Sequence, residues 1–154
     1  MYQNILVALD NSPTSEEVFH TALMLAKCFN AQLMLLHVLS PEAPDSPINF
    51  APYATSYDIV IVEKYQREWE KFKQDSLDKL KTLAEQANEQ GIKTNYAQYY
   101  GSPGRLICDQ ATQSKADLIV MGRRGHSTLN ELFLGSVSSY VIHHSHCCIH
   151  LVQS

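Results

Sequence analysis

The chain has 154 residues, 45% of them hydrophobic and 18% charged, which fits one globular domain with a buried core and excludes a disordered chain. Its formal net charge of −4 offers no general attraction to nucleic acid or to an anionic membrane surface, so neither is an expected partner. No apolar run approaches the roughly 20 residues of a membrane span, and the N-terminus lacks the basic start and cleavage site of a signal peptide; a cytoplasmic protein is expected.

Five short apolar runs read as strands: Ile5 to Leu9, Gln32 to Val38, Ile92 to Tyr99, Asp117 to Met121 and Cys148 to Val152. The first, second and fourth are nearly continuous in apolar residues, as parallel strands covered on both faces must be. Helical patterns separate them. The first helix is expected over about Ser15 to Phe29, with Val18, Ala22, Leu25 and Phe29 on one face and a hydroxyl cap from Thr14 or Ser15. The second is expected over about Val62 to Asn88, with Trp69, Phe72, Leu80, Leu83 and Ala87 as its buried stripe and Gly91 as its stop. The third starts at Ser102-Pro103 and carries Leu106, Ile107, Cys108 and Ala111; the fourth runs from about Ser136 to His143.

Alternating strands and helices predict a single α/β domain over residues 1–154, a doubly wound parallel sheet with helices on both faces and right-handed crossovers. The stretch from Ser40 to Tyr57 contains Pro41, Pro44, Pro47 and Pro52 and reads as a surface excursion or lid. The four cysteines fit neither a disulfide framework nor a zinc pair. Cys28 and Cys108 read as core fillers on apolar helix faces, and Cys147 and Cys148 as thiols on opposite faces of a strand. Tyr96, Tyr99 and Tyr100 surround an edge-prone strand, where β-propensity accounts for them.

Ligands of open parallel sheets bind beyond the carboxyl ends of the strands, which directs attention to Asp10 after the first strand, Val38 after the second and Met121-Gly122 after the fourth. Asp10-Asn11-Ser12-Pro13 alone is good turn chemistry. After the fourth strand the spacing is Gly122-x2-Gly125-x9-Gly135-Ser136. Gly122 and Gly125 permit close backbone approach. Gly135-Ser136 opens a helix whose free N–H groups, with the hydroxyls of Ser136 and Ser138, make an anion site. Arg123 and Arg124 read equally as phosphate partners or as solvated loop charges; His126 reads as an exposed loop histidine. His143, His144, His146, Cys147, Cys148 and His150 do not show a recognised zinc spacing and read as helix-end and strand residues.

This ensemble resembles the universal stress protein family. The resemblance rests on the glycine motif and on Ile5 to Ser12, Leu35 to Val38, Ala116 to Gly122 and Gly135 to Ser145, in the family's order. It implies a five-stranded sheet in the order 3-2-1-4-5. It also implies that Asp10 hydrogen-bonds adenosine, that Val38 lines the adenine pocket, and that Ala8, Leu9 and Met121 supply walls. Gly122, Gly125, Gly135 and Ser136 would hold ribose and phosphates, Val137 and Ser138 would complete the phosphate loop, and Arg124 joins them as a nucleotide-binding candidate. The glycine motif goes with ATP-binding members of the family, so the ligand implied is ATP or another adenine nucleotide such as AMP, with or without magnesium. A homodimer through the last strand and an unknown protein partner are implied as well, although His146-Cys147-Cys148-Ile149-His150 replaces the family's usual aliphatic ending.

The function expected is that of a nucleotide-dependent regulatory switch in stress response, with slow ATP hydrolysis in the same pocket as the alternative. A dedicated enzyme is not expected. The chain lacks the Gly-x4-Gly-Lys-Ser/Thr segment of a P-loop. A response-regulator reading fails because the third strand ends in Tyr99-Tyr100-Gly101 where that chemistry needs an aspartate.

Overall fold

The computed structural model describes residues 1–43, 46–47, 59–123 and 134–153. Its elements are β1 (Asn4–Leu9), α1 (Thr14–Phe29), β2 (Gln32–Leu39), α2 (Ile59–Glu89), β3 (Thr94–Tyr100), α3 (Pro103–Gln113), β4 (Leu118–Gly122), α4 (Ser136–His144) and β5 (Cys148–Val152). They form a single α/β domain around a parallel sheet in the order β3-β2-β1-β4-β5. The central strand β1 pairs with β2 on one side, Val7 opposite Leu35, and with β4 on the other, Val7 opposite Val120. The strand order therefore reverses direction between β1 and β4.

The continuous apolar runs feed two cores. Ile5, Val7 and Leu9 point with Leu33, Leu35, Leu118 and Val120 into a cluster beneath α1 and α2. Leu6 and Ala8 point with Leu36, Ile119 and Met121 into a second cluster beneath α3 and α4. This is period-2 geometry with no polar face. Leu6, Val7 and Leu35 are completely buried, and truncating such a leucine to alanine typically costs about 2–5 kcal/mol.

Local chemistry sets the ends of the elements. Gly91 follows α2 at φ +80, a left-handed turn that a Cβ would strain. The Ile92 N–H donates to the Ala87 carbonyl, so β3 starts at Thr94, two residues later than the apolar run suggests. The expected hydroxyl cap of α1 is not formed: the cap position is Pro13, with no side-chain cap bond. The Ser15 hydroxyl instead lies 2.6 Å from the Asp10 carbonyl and 2.7 Å from Asp10 Oδ1, and its oxygen accepts from the Asp10 N–H at 3.1 Å, so it bonds back to the end of β1 and not to the N–H groups of its own helix.

Two core assignments are corrected. Cys28 is exposed: the buried stripe of α1 runs through Val18, Phe19, Ala22, Leu23 and Ala26, and residue 28 falls outside it. Cys108 is half-buried and packs against the second cluster, as does Cys147. Trp69 and Phe72 are half-buried and not core. With 31 residues, α2 is about 46 Å long, whereas the seven residues of β3 span about 23 Å. The helix overhangs the carboxyl edge of the sheet, and its buried positions begin only at Ser76, followed by Leu80, Ala84 and Ala87. Trp69 packs edge-on against Tyr100 and beside Phe72, at ring-centroid distances of 6.0 and 5.9 Å.

Candidate functional site: a cleft at the strand switch point

A cleft of about 300 Å³ opens at the carboxyl ends of β1, β2 and β4, where the strand order reverses; this volume lies at the lower end of the range for small-molecule sites. Ala8, Leu9 and Asp10 line it from β1 and Val38 from β2. Met121 and Gly122 line it from β4, and Gly135, Ser136, Val137 and Ser138 from the start of α4. Every residue expected to bind nucleotide thus meets in one cleft except Arg123, which does not line it, and Arg124 and Gly125, which lie outside the described residues, as do His126 and most of the proline-rich stretch.

Asp10 is held by the turn that follows it. Its Oδ1 accepts from the Ser12 N–H at 3.0 Å and from the Ser12 hydroxyl at 2.5 Å, with the Ser15 hydroxyl also in reach. Ser12 and Ser15 are both 3% exposed. Turn-building and ligand contact are therefore compatible, because all of these bonds fall on one oxygen. Among the described residues Oδ2 accepts no hydrogen bond, leaving it as the atom with capacity for a ligand hydroxyl.

At the other end of the cleft, the first turn of α4 has no side-chain cap. The N–H groups of Ser136, Val137 and Ser138 therefore carry the partial positive charge of a helix start. The Ser138 hydroxyl is not one of the donors expected for an anion. It is buried and donates to the Arg123 carbonyl at 2.7 Å, with the Gly135 carbonyl at 3.0 Å. The Gly135 N–H reaches the same Arg123 carbonyl at 3.1 Å. One carbonyl thus clasps both ends of the segment between residues 123 and 135. The Arg123 guanidinium donates to Gln153 Oε1 at 2.9 Å, and the Arg123 N–H bonds the Val152 carbonyl, so this side chain is tied to the end of β5.

Several lining residues were not anticipated: Ser12, Thr14, Ser15 and Val18 from the start of α1, His37, Ser40, Glu42 and Ala43 from β2 and the turn after it, Phe72 from α2, and Pro103 and Ile107 from α3. His37 is 6% exposed, and its Nδ1 lies 3.2 Å from Gln98 Nε2, which also donates to the Lys73 carbonyl. Ser12 and Ser15 were legible as turn partners of Asp10; the reach of Phe72 depends on the overhang of α2, which no local pattern encodes. The described lining contains two carboxylates, Asp10 and Glu42, and no lysine or arginine.

The histidines of the last segment point elsewhere. His143 Nδ1 and His144 Nδ1 lie 2.7 Å from the carbonyls of Ser139 and Tyr140 one turn earlier. His144 stacks on the Tyr140 ring at 4.0 Å. Among the described residues no group of three or more His, Cys, Asp or Glu side chains could hold a metal ion, and no helix is long and apolar enough to cross a membrane. Burial, with smaller contributions from Asp109 and Cys147, raises the pKa of the Cys108 thiol above its ordinary value.

Comparison with known proteins adds to this geometry. A family model described as the universal stress protein family matches residues 1–153. Universal stress protein Sll1388 of Synechocystis is 36% identical over 155 residues, covering 99% of this chain and 98% of that one. The structure of the universal stress protein UspA from Lactobacillus plantarum superposes with a TM-score of 0.77 at 25% identity, over 98% of this chain and 97% of that one. A universal stress protein crystallised in complex with cAMP matches with a TM-score of 0.62 at 25% identity, over 99% and 97% of the two chains. With its strand order, its switch-point cleft and a family match over nearly its whole length, this chain belongs to the universal stress protein family.

Proposed function

We propose that the chain is an adenine-nucleotide-binding regulatory protein of the universal stress type. The observation that carries the reading is the cleft itself, whose lining brings together an uncapped helix start, an apolar patch of Ala8, Leu36, Val38, Ile107 and Pro103, and Asp10. A phosphate suits the N–H groups of α4, a ribose hydroxyl suits Asp10 Oδ2, and an aromatic base suits the apolar patch. The complex of a related fold with cAMP supports the same class of ligand. The spacing Gly122-x2-Gly125-x9-Gly135-Ser136 favours ATP as one such ligand, and AMP fits the same three contacts. A triphosphate in a cleft whose described lining holds Asp10 and no lysine or arginine would be favoured with magnesium, which offsets its charge.

In this reading nucleotide binding acts through Gly122 and the start of α4, and a homodimer through the edge strand β5 transmits the change to a protein partner in stress response. The test is calorimetry of nucleotide-stripped protein with AMP and with ATP and magnesium. One site per chain is expected, weakened at least about tenfold in Asp10→Asn, where Oδ1 keeps its turn bonds but the second atom becomes a donor. Absence of binding by both ligands would refute the reading. Sedimentation with and without AMP tests the dimer, which fails if the chain stays monomeric in both.

A further inference from the structure

The base end of the cleft carries a charged group with a defined seat. After β2 the chain makes a hydrogen-bonded turn. The Ala43 N–H donates to the Ser40 carbonyl at 3.1 Å, the Glu42 N–H reaches the Ser40 hydroxyl oxygen at 3.3 Å, and the Ser46 N–H donates to the Ala43 carbonyl at 2.9 Å. Ser40 and Ser46 are buried at 5% and 0% exposure, so the turn is anchored at both ends. It places Glu42 on the cleft wall, four residues after Val38.

Among the described residues no donor is bonded to the Glu42 carboxylate. The other polar groups at this end are differently engaged. The Ser40 hydroxyl oxygen already accepts from the turn. The His37 ring is met by Gln98 Nε2 at 3.2 Å. An ionised carboxylate only accepts hydrogen bonds. It therefore distinguishes bases at the exocyclic position: adenine presents an amine that donates there, whereas hypoxanthine presents an oxygen that only accepts, its donor on that edge being the ring N1–H.

Resting on the adenine-nucleotide reading, we propose that Glu42 is a specificity-determining residue, its carboxylate accepting a hydrogen bond from the exocyclic amine of the base. The residue acts on base choice and not on phosphate capture, since it follows β2, which β1 separates from β4, the strand that leads to the start of α4.

The test compares calorimetric affinities of AMP and IMP, with adenosine and inosine as an uncharged pair that removes the phosphate from the comparison. The native chain is expected to prefer AMP over IMP by about tenfold, the scale of one hydrogen bond to a charged group at a partly exposed site. In Glu42→Ala the preference falls to about twofold or less; in Glu42→Gln, whose amide still presents an acceptor oxygen, it is intermediate. Glu42 is exposed, so both variants keep the native melting temperature. An unchanged AMP-to-IMP ratio in Glu42→Ala, or a native chain that binds both equally, overturns the proposal while leaving nucleotide binding intact. Binding of none of the four ligands overturns the nucleotide reading, and this inference with it.

Discussion

Replacing Gly104 with alanine tests how α3 holds α4, the helix whose first turn closes the cleft. A Cβ at Gly104 would sit 2.8 Å from Tyr140 Cδ1, 2.9 Å from Cγ and 3.0 Å from Cβ, whereas ordinary contact begins near 3.4 Å. Rotating the tyrosine ring relieves the first contact but not the last, because Tyr140 Cβ is fixed to its backbone. The two helices must therefore part by a few tenths of an ångström. Such overpacking costs about 1–3 kcal/mol, and the better helix propensity of alanine returns at most about 1 kcal/mol. Gly104→Ala is expected to lose about 1–2 kcal/mol in urea unfolding. At about 2–4 °C per kcal/mol for a chain of this size, that is a fall in Tm of several degrees. Because the displaced helix carries the N–H groups of Ser136 to Ser138, AMP affinity should fall with it. Adding Tyr140→Ala removes the two ring contacts at 2.8 and 2.9 Å and leaves only the Cβ contact at 3.0 Å, so the double variant should recover part of the loss and be more stable than the two single losses predict, by about 1 kcal/mol. A Gly104→Ala protein that melts at or above the native temperature would refute the reasoning.

Four further outcomes follow from the same geometry. The chain has one tryptophan, and Trp69 touches Phe72, which lines the cleft; titration with AMP should change its emission, and calorimetric binding with no such change would break the link between the overhang of α2 and the cleft. Asp10→Ala leaves the buried Ser12 hydroxyl without its acceptor, while the Ser15 hydroxyl keeps the Asp10 main-chain carbonyl at 2.6 Å, and should cost about 1–3 kcal/mol in urea unfolding, whereas Asp10→Asn should lose much less; equal losses would refute the assignment of the turn bonds to Oδ1. The exposed Cys28 and Cys148 should react with a thiol reagent first at neutral pH, with Cys108 last, and labelling of Cys108 as fast as Cys28 would contradict its burial. Because its folded pKa is raised, the contribution of Cys108 to stability is full below the unfolded value of about 8.5 and is lost as pH rises through the folded value. Cys108→Ala should therefore flatten that alkaline decline.

The alternation of elements was readable because parallel strands buried on both faces need unbroken apolar runs, and Ile5 to Leu9 and Leu118 to Met121 have nowhere to hide a polar side chain. The main errors came where packing, not pattern, decides. Cys28 looked apolar enough for a core but lies off the buried stripe of α1, and Trp69 and Phe72 keep helical spacing where α2 reaches only the exposed last residue of β3, Tyr100. The seat of the cleft was legible too, since Asp10, Val38 and Gly122 each end a strand that the alternation had already identified. Its far wall was not.

From the amino-acid sequence alone came the strands, the helices, the glycine spacing and hence the family, because periodicity and backbone-permissive residues act over a few neighbours. Only the tertiary structure decided that the Ser138 hydroxyl is a clasp on the Arg123 carbonyl, that Gly104 makes room for Tyr140, and that Glu42 and Phe72 face the same cleft. Each of these joins residues far apart in the chain, and a hydroxyl or a carboxylate has no role until folding sets which acceptor or donor lies within about 3 Å of it.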